Sequence, residues 1–566
     1  MLLVETHISW VLLAGRYAYK IKKALDLGFL NYTSLEARKF YCFEEVRLNS
    51  RLAPGVYLDV IPIGGKPDTP GFGAQPVIEY AVKMRRFATA KEFDHLLARG
   101  KIMPRHMDEL AARLAIFHGG LPRAQEDSAF GAPATILAAA IQNFEALLSL
   151  LTAQNDGHDK CDTPDDETCL ARFPLSSSLD ETTSYSTKLQ NTAAKSLVIS
   201  QVGERDKVSL REFHVIGDAV EELRRSTGNA YTACEKYFIR RRVQGCVREC
   251  HGNLHLGNIV LIGKHPVPFD GIEFNPALRW IDVMDEVAFL VMDLMYGRRP
   301  DLAFRFLNAY LEATGDYAGV SVLRFYMAYR AGVRAKVSAI RASQPDHGQP
   351  MQTQALTACR NYLALAAECL APQRPALLIT HGLPGSGKST FAQIALERLQ
   401  AIRIRSDVER KRLFGISPLD DSRTRSNERI YSADATRRTY SRLYELARDL
   451  LNAGFPVIVD AAFLKQDERE QFHALALSMS VPFAIMSIQA SSATLGVRIT
   501  QRRYAAIDAS EADLGVLHLL QAAQQPLLPH ELLRTVVFLN DADQSCNPAE
   551  AASWDSLDKL LGASQR

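Results

Sequence analysis

The sequence predicts two architectures in one chain: an α+β first part of two lobes and an α/β second part, a parallel β-sheet flanked by helices. Three observations carry this. An apolar strand, a glycine-rich turn and a helix follow one another between Ala376 and Leu399, the order of a parallel βα unit. Two short strands and a helix open the chain between Trp10 and Arg51, and helical patterns dominate from Met107 onward. Finally, 566 residues exceed what one core organises, so roughly two to four domains are expected.

The glycine-rich turn is the most specific of these. It reads Gly382, Leu383, Pro384, Gly385, Ser386, Gly387, Lys388, Ser389, Thr390. Glycines let the backbone wrap a polyphosphate, and successive N–H groups at a helix N-terminus point at the anion. Lys388 is placed to neutralise the β- and γ-phosphates, and the Ser389 hydroxyl to ligate Mg2+. These nine residues therefore predict a site for a nucleoside triphosphate, with ATP and Mg2+ as the expected cofactors.

Downstream, the residues from Ile402 read as a short strand ending in Asp407, with Arg410 one helical turn on. The bland reading of Asp407 is an N-cap on a basic helix. Val457–Asp460 fits a buried parallel strand ending in an acid, so Asp460 is the expected second Mg2+-holding residue. Arg498 and Arg502 open a basic helix whose bland reading is a solvated face, and Val536–Asn540 is the expected last strand. The arrangement resembles the zeta-toxin, chloramphenicol-phosphotransferase and polynucleotide-kinase group. That resemblance implies that Asp407 orients or deprotonates an attacking hydroxyl, that Arg410 steadies substrate, and that Arg498 and Arg502 belong to a lid over the phosphates.

In the first part, Trp10–Lys22 predicts two strands joined at Ala14-Gly15-Arg16. Lys20 on the second strand is a surface charge on the bland reading. The helix that follows carries Glu44 and Glu45. A strand lysine paired with a glutamate of the next helix is how kinase-like folds hold ATP phosphates, which makes Lys20 and Glu45 candidate cofactor-binding residues. Val77–Met84 suits the hinge edge of a small lobe.

The stretch His251, Gly252, Asn253, Leu254, His255, Leu256, Gly257, Asn258, followed by Asp270 and Glu273, is the strongest signal in this half. It resembles the catalytic and metal-binding loops of aminoglycoside phosphotransferase-like kinases. The resemblance implies that Asn258 and Asp270 hold Mg2+ and that His251 braces the loop. It puts Asn253 where that family has its catalytic aspartate. An amide is a negligible base and general-base assistance is worth ~10²–10⁴-fold, so weak or absent transfer is expected here. Cys246, Cys250, His251 and His255 also mimic zinc-ligand spacing. The acids between Asp282 and Asp293 are expected to be structural. Few residues precede Trp10 and no Gly-x-Gly-x-x-Gly occurs there, so either the nucleotide lid is built differently or the start falls inside the domain.

The expected division is 1–345 for the first domain with a polar, mobile insert at 155–206, then a linker helix at 346–372, then 373–566. A formal net charge of +2 is too small to imply nucleic-acid binding. No apolar run approaches the ~20 residues of a membrane span, and nine scattered cysteines suit a reducing, cytoplasmic setting. The whole resembles bacterial fusions of an aminoglycoside phosphotransferase-like domain with a P-loop kinase-type ATPase. It implies ATP-dependent transfer to a small-molecule phosphate acceptor by the second half. A nucleotide-hydrolysing switch and a ligand-sensing binding protein are the alternatives. The oligomeric state is not set by the sequence.

Overall fold

Strands β1 (Leu2–Glu5), β2 (Ser9–Ala14) and β3 (Tyr17–Lys22) form an antiparallel meander at the start of the chain. Helix α1 (Leu35–Asn49) follows, its first turn capped by the Ser34 hydroxyl, which accepts from Ala37 N. With β4 (Tyr57–Lys66), β5 (Thr69–Phe72) and β6 (Val77–Arg85) the sheet has six strands in the order β1-β2-β3-β6-β4-β5. The hairpin β1–β2 stands before the lysine strand, although few residues precede Trp10. β6 lies inside the sheet, between β3 and β4, and its C-terminal end leads to the larger lobe. The structure is a computed structural model. It describes residues 2–156, 204–343, 349–417, 430–505, 513–541 and 553–562 apart from His7, Phe29 and Tyr431, and not the side chains of 151–156, 204–215, 349 and 502–505. Most of the expected 155–206 insert therefore lies outside the described residues.

The larger lobe is helical: α2 (Phe93–Ala98), α3 (Pro104–Gly120), α4 (Pro133–Asp156) and α5 (Glu204–Val243) precede a small strand-and-loop layer. That layer holds β7 (Val247–Glu249), β8 (Ile259–Ile262), β9 (His265–Pro268) and β10 (Trp280–Asp282). Then come α6 (Val283–Tyr296), α7 (Pro300–Thr314), α8 (Val320–Ala342) and α9 (Gln349–Leu370). The acids around α6 brace the lobe. Asp282 receives Arg241 at 2.7 Å, Asp285 receives Arg330 at 2.7 Å, and Glu286 bonds His118 at 2.8 Å. Buried ions need such partners. By length and composition Pro133–Leu150 of α4 is apolar enough to cross a membrane, yet Ala140, Phe144 and Leu147 are buried in the lobe's core.

The second part is a βα alternation: β11 (Leu377–His381), α10 (Lys388–Leu399), β12 (Ile402–Arg405), α11 (Ser406–Leu413), α12 (Ala433–Asn452), β13 (Val457–Asp460) and α13 (Gln466–Ser478). It ends with β14 (Phe483–Gln489), α14 (Ser492–Ala505), α15 (Leu514–Ala523), α16 (Pro529–Leu532), β15 (Thr535–Leu539) and α17 (Ser553–Leu560). All strand pairs are parallel, in the order β12-β13-β11-β14-β15. β11 and β13 are buried along their whole length, as continuous apolar runs in a sheet covered on both faces must be. One apolar core runs from the larger lobe into this sheet, joining Leu307 and Tyr310 to Ile402 and Ile404. The first sheet keeps a core of its own.

Candidate active site

The glycine-rich turn leaves the C-terminal end of β11, and Gly382, Gly385 and Gly387 hold φ of 145°, 83° and 100°. A side chain is excluded there on space as well as on φ. A Cβ on Gly382 would lie 2.4 Å from Ile488 O, and one on Gly387 2.3 Å from Asn540 Nδ2. Lys388 begins α10 and donates to Leu383 O at 2.9 Å. Asn540, just past β15, donates to Ser386 O at 2.7 Å, and Arg498 reaches Asn540 Oδ1 at 3.4 Å. β15 and α14 therefore clasp the turn from its outer side.

These residues line a cleft of about 990 Å³ that also takes in Ser389, Thr390, Asp407, Arg410 and Asp460. Asp460 ends β13 and is buried. Its Oδ2 has no hydrogen-bond partner, and Arg405 Nε stands 3.7 Å away. A buried carboxylate oxygen with no hydrogen bond, in the same cleft as Ser389, is a donor set that suits Mg2+, so the residues present fit the metal. Arg405, not Asp407, is the last residue of β12; Asp407 falls in the first turn of α11. Arg410 donates to Ile430 O at 3.1 Å and Thr436 Oγ1 at 3.2 Å. The Arg502 side chain lies outside the described residues.

Beyond Asp407 the cleft continues between Tyr440, Lys465, Glu468 and the α15 residues Val516 and Leu520. Burial raises the Glu468 carboxyl above its ordinary range, with Tyr440 hydrogen-bonded to it. Beneath the turn, His381 is buried with Nδ1 3.0 Å from Ser487 Oγ. Burial first, then the charges of Arg469 and Lys388, hold its pKa at about 4. Asn540, Arg405, Tyr440 and Glu468 were not singled out from sequence. None had a local signal: even Asn540 follows β15, which pairs with β14 and not with the glycine turn's own strand.

Residues 377–527 match a family model described as an AAA domain. The second part is a P-loop nucleotide-binding domain. Over a longer stretch the chain is 29% identical across 459 residues to an uncharacterized protein of Mycobacterium tuberculosis, covering 81% of this chain and 78% of that one. An uncharacterized protein of Mycobacterium bovis matches to the same extent. Among solved structures, a gluconokinase from Sinorhizobium meliloti is 20% identical with a TM-score of 0.25, covering 34% of this chain and 96% of that one. A choline/ethanolamine kinase family protein from Mesorhizobium loti is 12% identical with a TM-score of 0.32, covering 65% and 93%.

Ahead of the P-loop domain stands a unit of protein-kinase-like fold, a sheet with one helix set on a helical lobe. Lys20 of β3 meets Glu45 of α1 at 2.9 Å and Asp270 at 2.7 Å. Lys22, fully buried two residues on, meets Glu45 at 2.7 Å and pairs with Glu273. Burial works against the charge on Glu45, but Lys20 and Lys22 outweigh it and hold its pKa at about 2. His251 braces the loop through a contact of 2.9 Å with Phe269 O. Asn258 donates its amide to Asn253 O at 3.0 Å, while Asp270 adopts φ 60°. The four residues with zinc-like spacing do not converge: Cys250 Sγ turns to Ile281 O, and His255 accepts from Gly257 N.

Proposed function

We propose that the P-loop domain catalyses ATP-dependent phosphoryl transfer to a small-molecule hydroxyl. The observation that carries this reading is the cleft itself. It is lined by Lys388 and Asp407 together with Tyr440, Glu468 and residues of α15, and about 990 Å³ accommodates an acceptor as well as a nucleotide. Water as sole nucleophile would need no such extension. In the step, the acceptor oxygen bonds to the γ-phosphorus as the bond to the β–γ bridging oxygen breaks and ADP leaves. Asp407 orients the acceptor hydroxyl and takes its proton, then releases it to solvent. Lys388, Arg498 and Arg502 stabilise the charge that spreads over the transferring group, and Arg410 steadies the acceptor. Ser389 and Asp460 would hold Mg2+, which supplies charge neutralisation at the β- and γ-oxygens.

The kinase-like unit, with Asn253 at the base position, is read as impaired for transfer and as a binding or regulatory partner, its Lys20, Glu45, Asn258 and Asp270 retained from a nucleotide site. The test measures ATP turnover and γ-phosphate transfer by wild type, Lys388→Ala and Asn253→Asp against a panel of sugars, amino alcohols and aminoglycosides. Loss of all transfer in Lys388→Ala supports the reading. Transfer that survives Lys388→Ala assigns catalysis to the kinase-like unit, acceptor-independent turnover makes the domain a hydrolysing switch, and binding without turnover makes the chain a ligand sensor.

A further inference from the structure

β12 is an edge strand of the P-loop sheet, and α7 of the kinase-like unit covers it. The cover is specific. Asn308, buried on α7, donates to Ala401 O at 2.8 Å and accepts from Arg403 N at 2.6 Å, so it satisfies strand-edge groups that would otherwise be orphaned. One turn further along the same face, Glu312 accepts from Arg405 Nη1 at 2.7 Å and from Arg403 Nη2 at 3.1 Å. Arg405 reaches into the cleft, and Arg403 touches the backbone of Ser389. Arg403 Nη1 donates to Ser389 O at 3.3 Å, and Arg405 lines the cleft with Nε 3.7 Å from Asp460 Oδ2. The end of α7 is locked in turn: Arg412 donates to Glu312 O, and Gly315 closes the helix at φ 75°.

We propose that Glu312 is a positioning residue for phosphoryl transfer: by holding Arg403 and Arg405 it makes the kinase-like unit a structural part of the P-loop active site. The inference rests on the phosphoryl-transfer reading above. Its physical basis is competition for Arg405. That guanidinium lies between two carboxylates, Glu312 from one unit and Asp460 from the other. With Glu312 neutralised, the existing 3.7 Å pair of Arg405 with Asp460 would close to hydrogen-bond distance and consume the oxygen that suits Mg2+. Glu312 holds Arg405 back at that longer distance and keeps it on the cleft wall. Transfer at the full rate then requires α7 docked on β12, and the two units work as one enzyme.

The test uses the full chain. Glu312→Gln should lower kcat roughly ten- to hundredfold, the range for a partner that orients a ligand-bearing group, with KM for ATP held within about threefold. Glu312→Asp should recover most of the rate. Arg405→Ala removes the competitor for Asp460, so it should leave the Mg2+ requirement near that of wild type, and the double variant should match Arg405→Ala alone, because one path cannot be cut twice. At equilibrium, fluorescent-ADP binding to Glu312→Gln should need about tenfold more Mg2+ to reach half-saturation. Arg305→Ala is the control. It breaks the 2.9 Å Arg305–Glu397 pair in the same interface without touching Arg405, and should leave kcat and the Mg2+ requirement unchanged. Wild-type rates in Glu312→Gln, losses that multiply in the double variant, or an Arg305→Ala variant as impaired as Glu312→Gln would each overturn the inference. Transfer that survives Lys388→Ala overturns the underlying reading instead, so the two failures are distinguishable.

Discussion

Two lysines in this chain live in opposite surroundings. Lys20 of the kinase-like unit sits between the carboxylates of Glu45 and Asp270, with Lys22 beside it held by Glu45 and Glu273. Its charge is matched by the protein's own acids. Lys388 of the P-loop domain rests on a backbone carbonyl, in a cleft that it shares with Arg405, Arg410, Lys465 and Arg498. There Asp460 Oδ2 has an arginine 3.7 Å away and no hydrogen bond. A site that keeps its cations matched internally gains little from an incoming polyanion. A site that gathers cations around a backbone cradle gains much. The two settings differ in what surrounds the lysine: carboxylates in the first, a backbone cradle and neighbouring cations in the second.

The contrast breaks most sharply at Lys388. Lys388→Ala should reduce γ-phosphate transfer by about 10³-fold or more, since a preorganised charge at the transferring group is lost. Radiolabelled transfer measures it, and a variant with near wild-type rates would reverse the two units' roles. Next in size is Asp407→Asn. Removing the proton acceptor but not its shape should cost ~10²–10⁴-fold in kcat while nucleotide affinity stays unchanged. An equal fall in nucleotide affinity would show that Asp407 serves nucleotide binding and not the acceptor.

The kinase-like unit is sharpened by a stability experiment. Glu45 is the common partner of two buried ammonium groups, so Glu45→Gln leaves both with a missing charge. Breaking a buried ion pair from one side costs about 3–5 kcal/mol. Urea unfolding followed through Trp10 of β2 should show that loss, with P-loop nucleotide binding preserved. An unchanged midpoint would mean that Glu273 and Asp270 alone suffice for the two lysines.

Much of this was legible in the sequence wherever function and contiguity coincide. The nine residues of the glycine turn are consecutive, and their strand–turn–helix setting is local, so Gly382 to Thr390 could be read without a fold. Lys20 and Glu45 were legible through one strand and the helix after it. Lys22 was missed although the signal existed: residues two apart on a strand face the same way, so a Lys20 turned toward α1 implies a Lys22 turned there too. The β1–β2 hairpin was missed because β1 is exposed throughout and carries no alternation. Glu312, Arg405, Asn540 and Glu468 were beyond reach for a different reason. Each acts through a partner from a distant segment, 93 residues away for Glu312 and Arg405, and no spacing rule encodes that meeting.

The smallest expected effect concerns His381, buried under the glycine turn. Its folded-state pKa of about 4 lies below the ordinary value of 6.5 because burial and the nearby charges of Arg469 and Lys388 oppose a second cation. The unfolded chain therefore binds a proton that the folded chain refuses, between those two values. The resulting stability is fully present above about pH 6.5 and is lost as pH falls toward 4, where it amounts to about 3 kcal/mol. His381→Gln keeps a hydrogen-bonding group opposite Ser487 but cannot titrate. Urea midpoints at pH 7.5 and 4.5 should differ less in the variant than in wild type, with the carboxylates common to both cancelling in the difference. Equal pH dependence in the two proteins would mean that His381 takes up its proton within the fold. The cation-rich cradle around Lys388 would then tolerate one more positive charge, and the contrast with the internally matched lysines of the kinase-like unit would be weaker than the geometry implies.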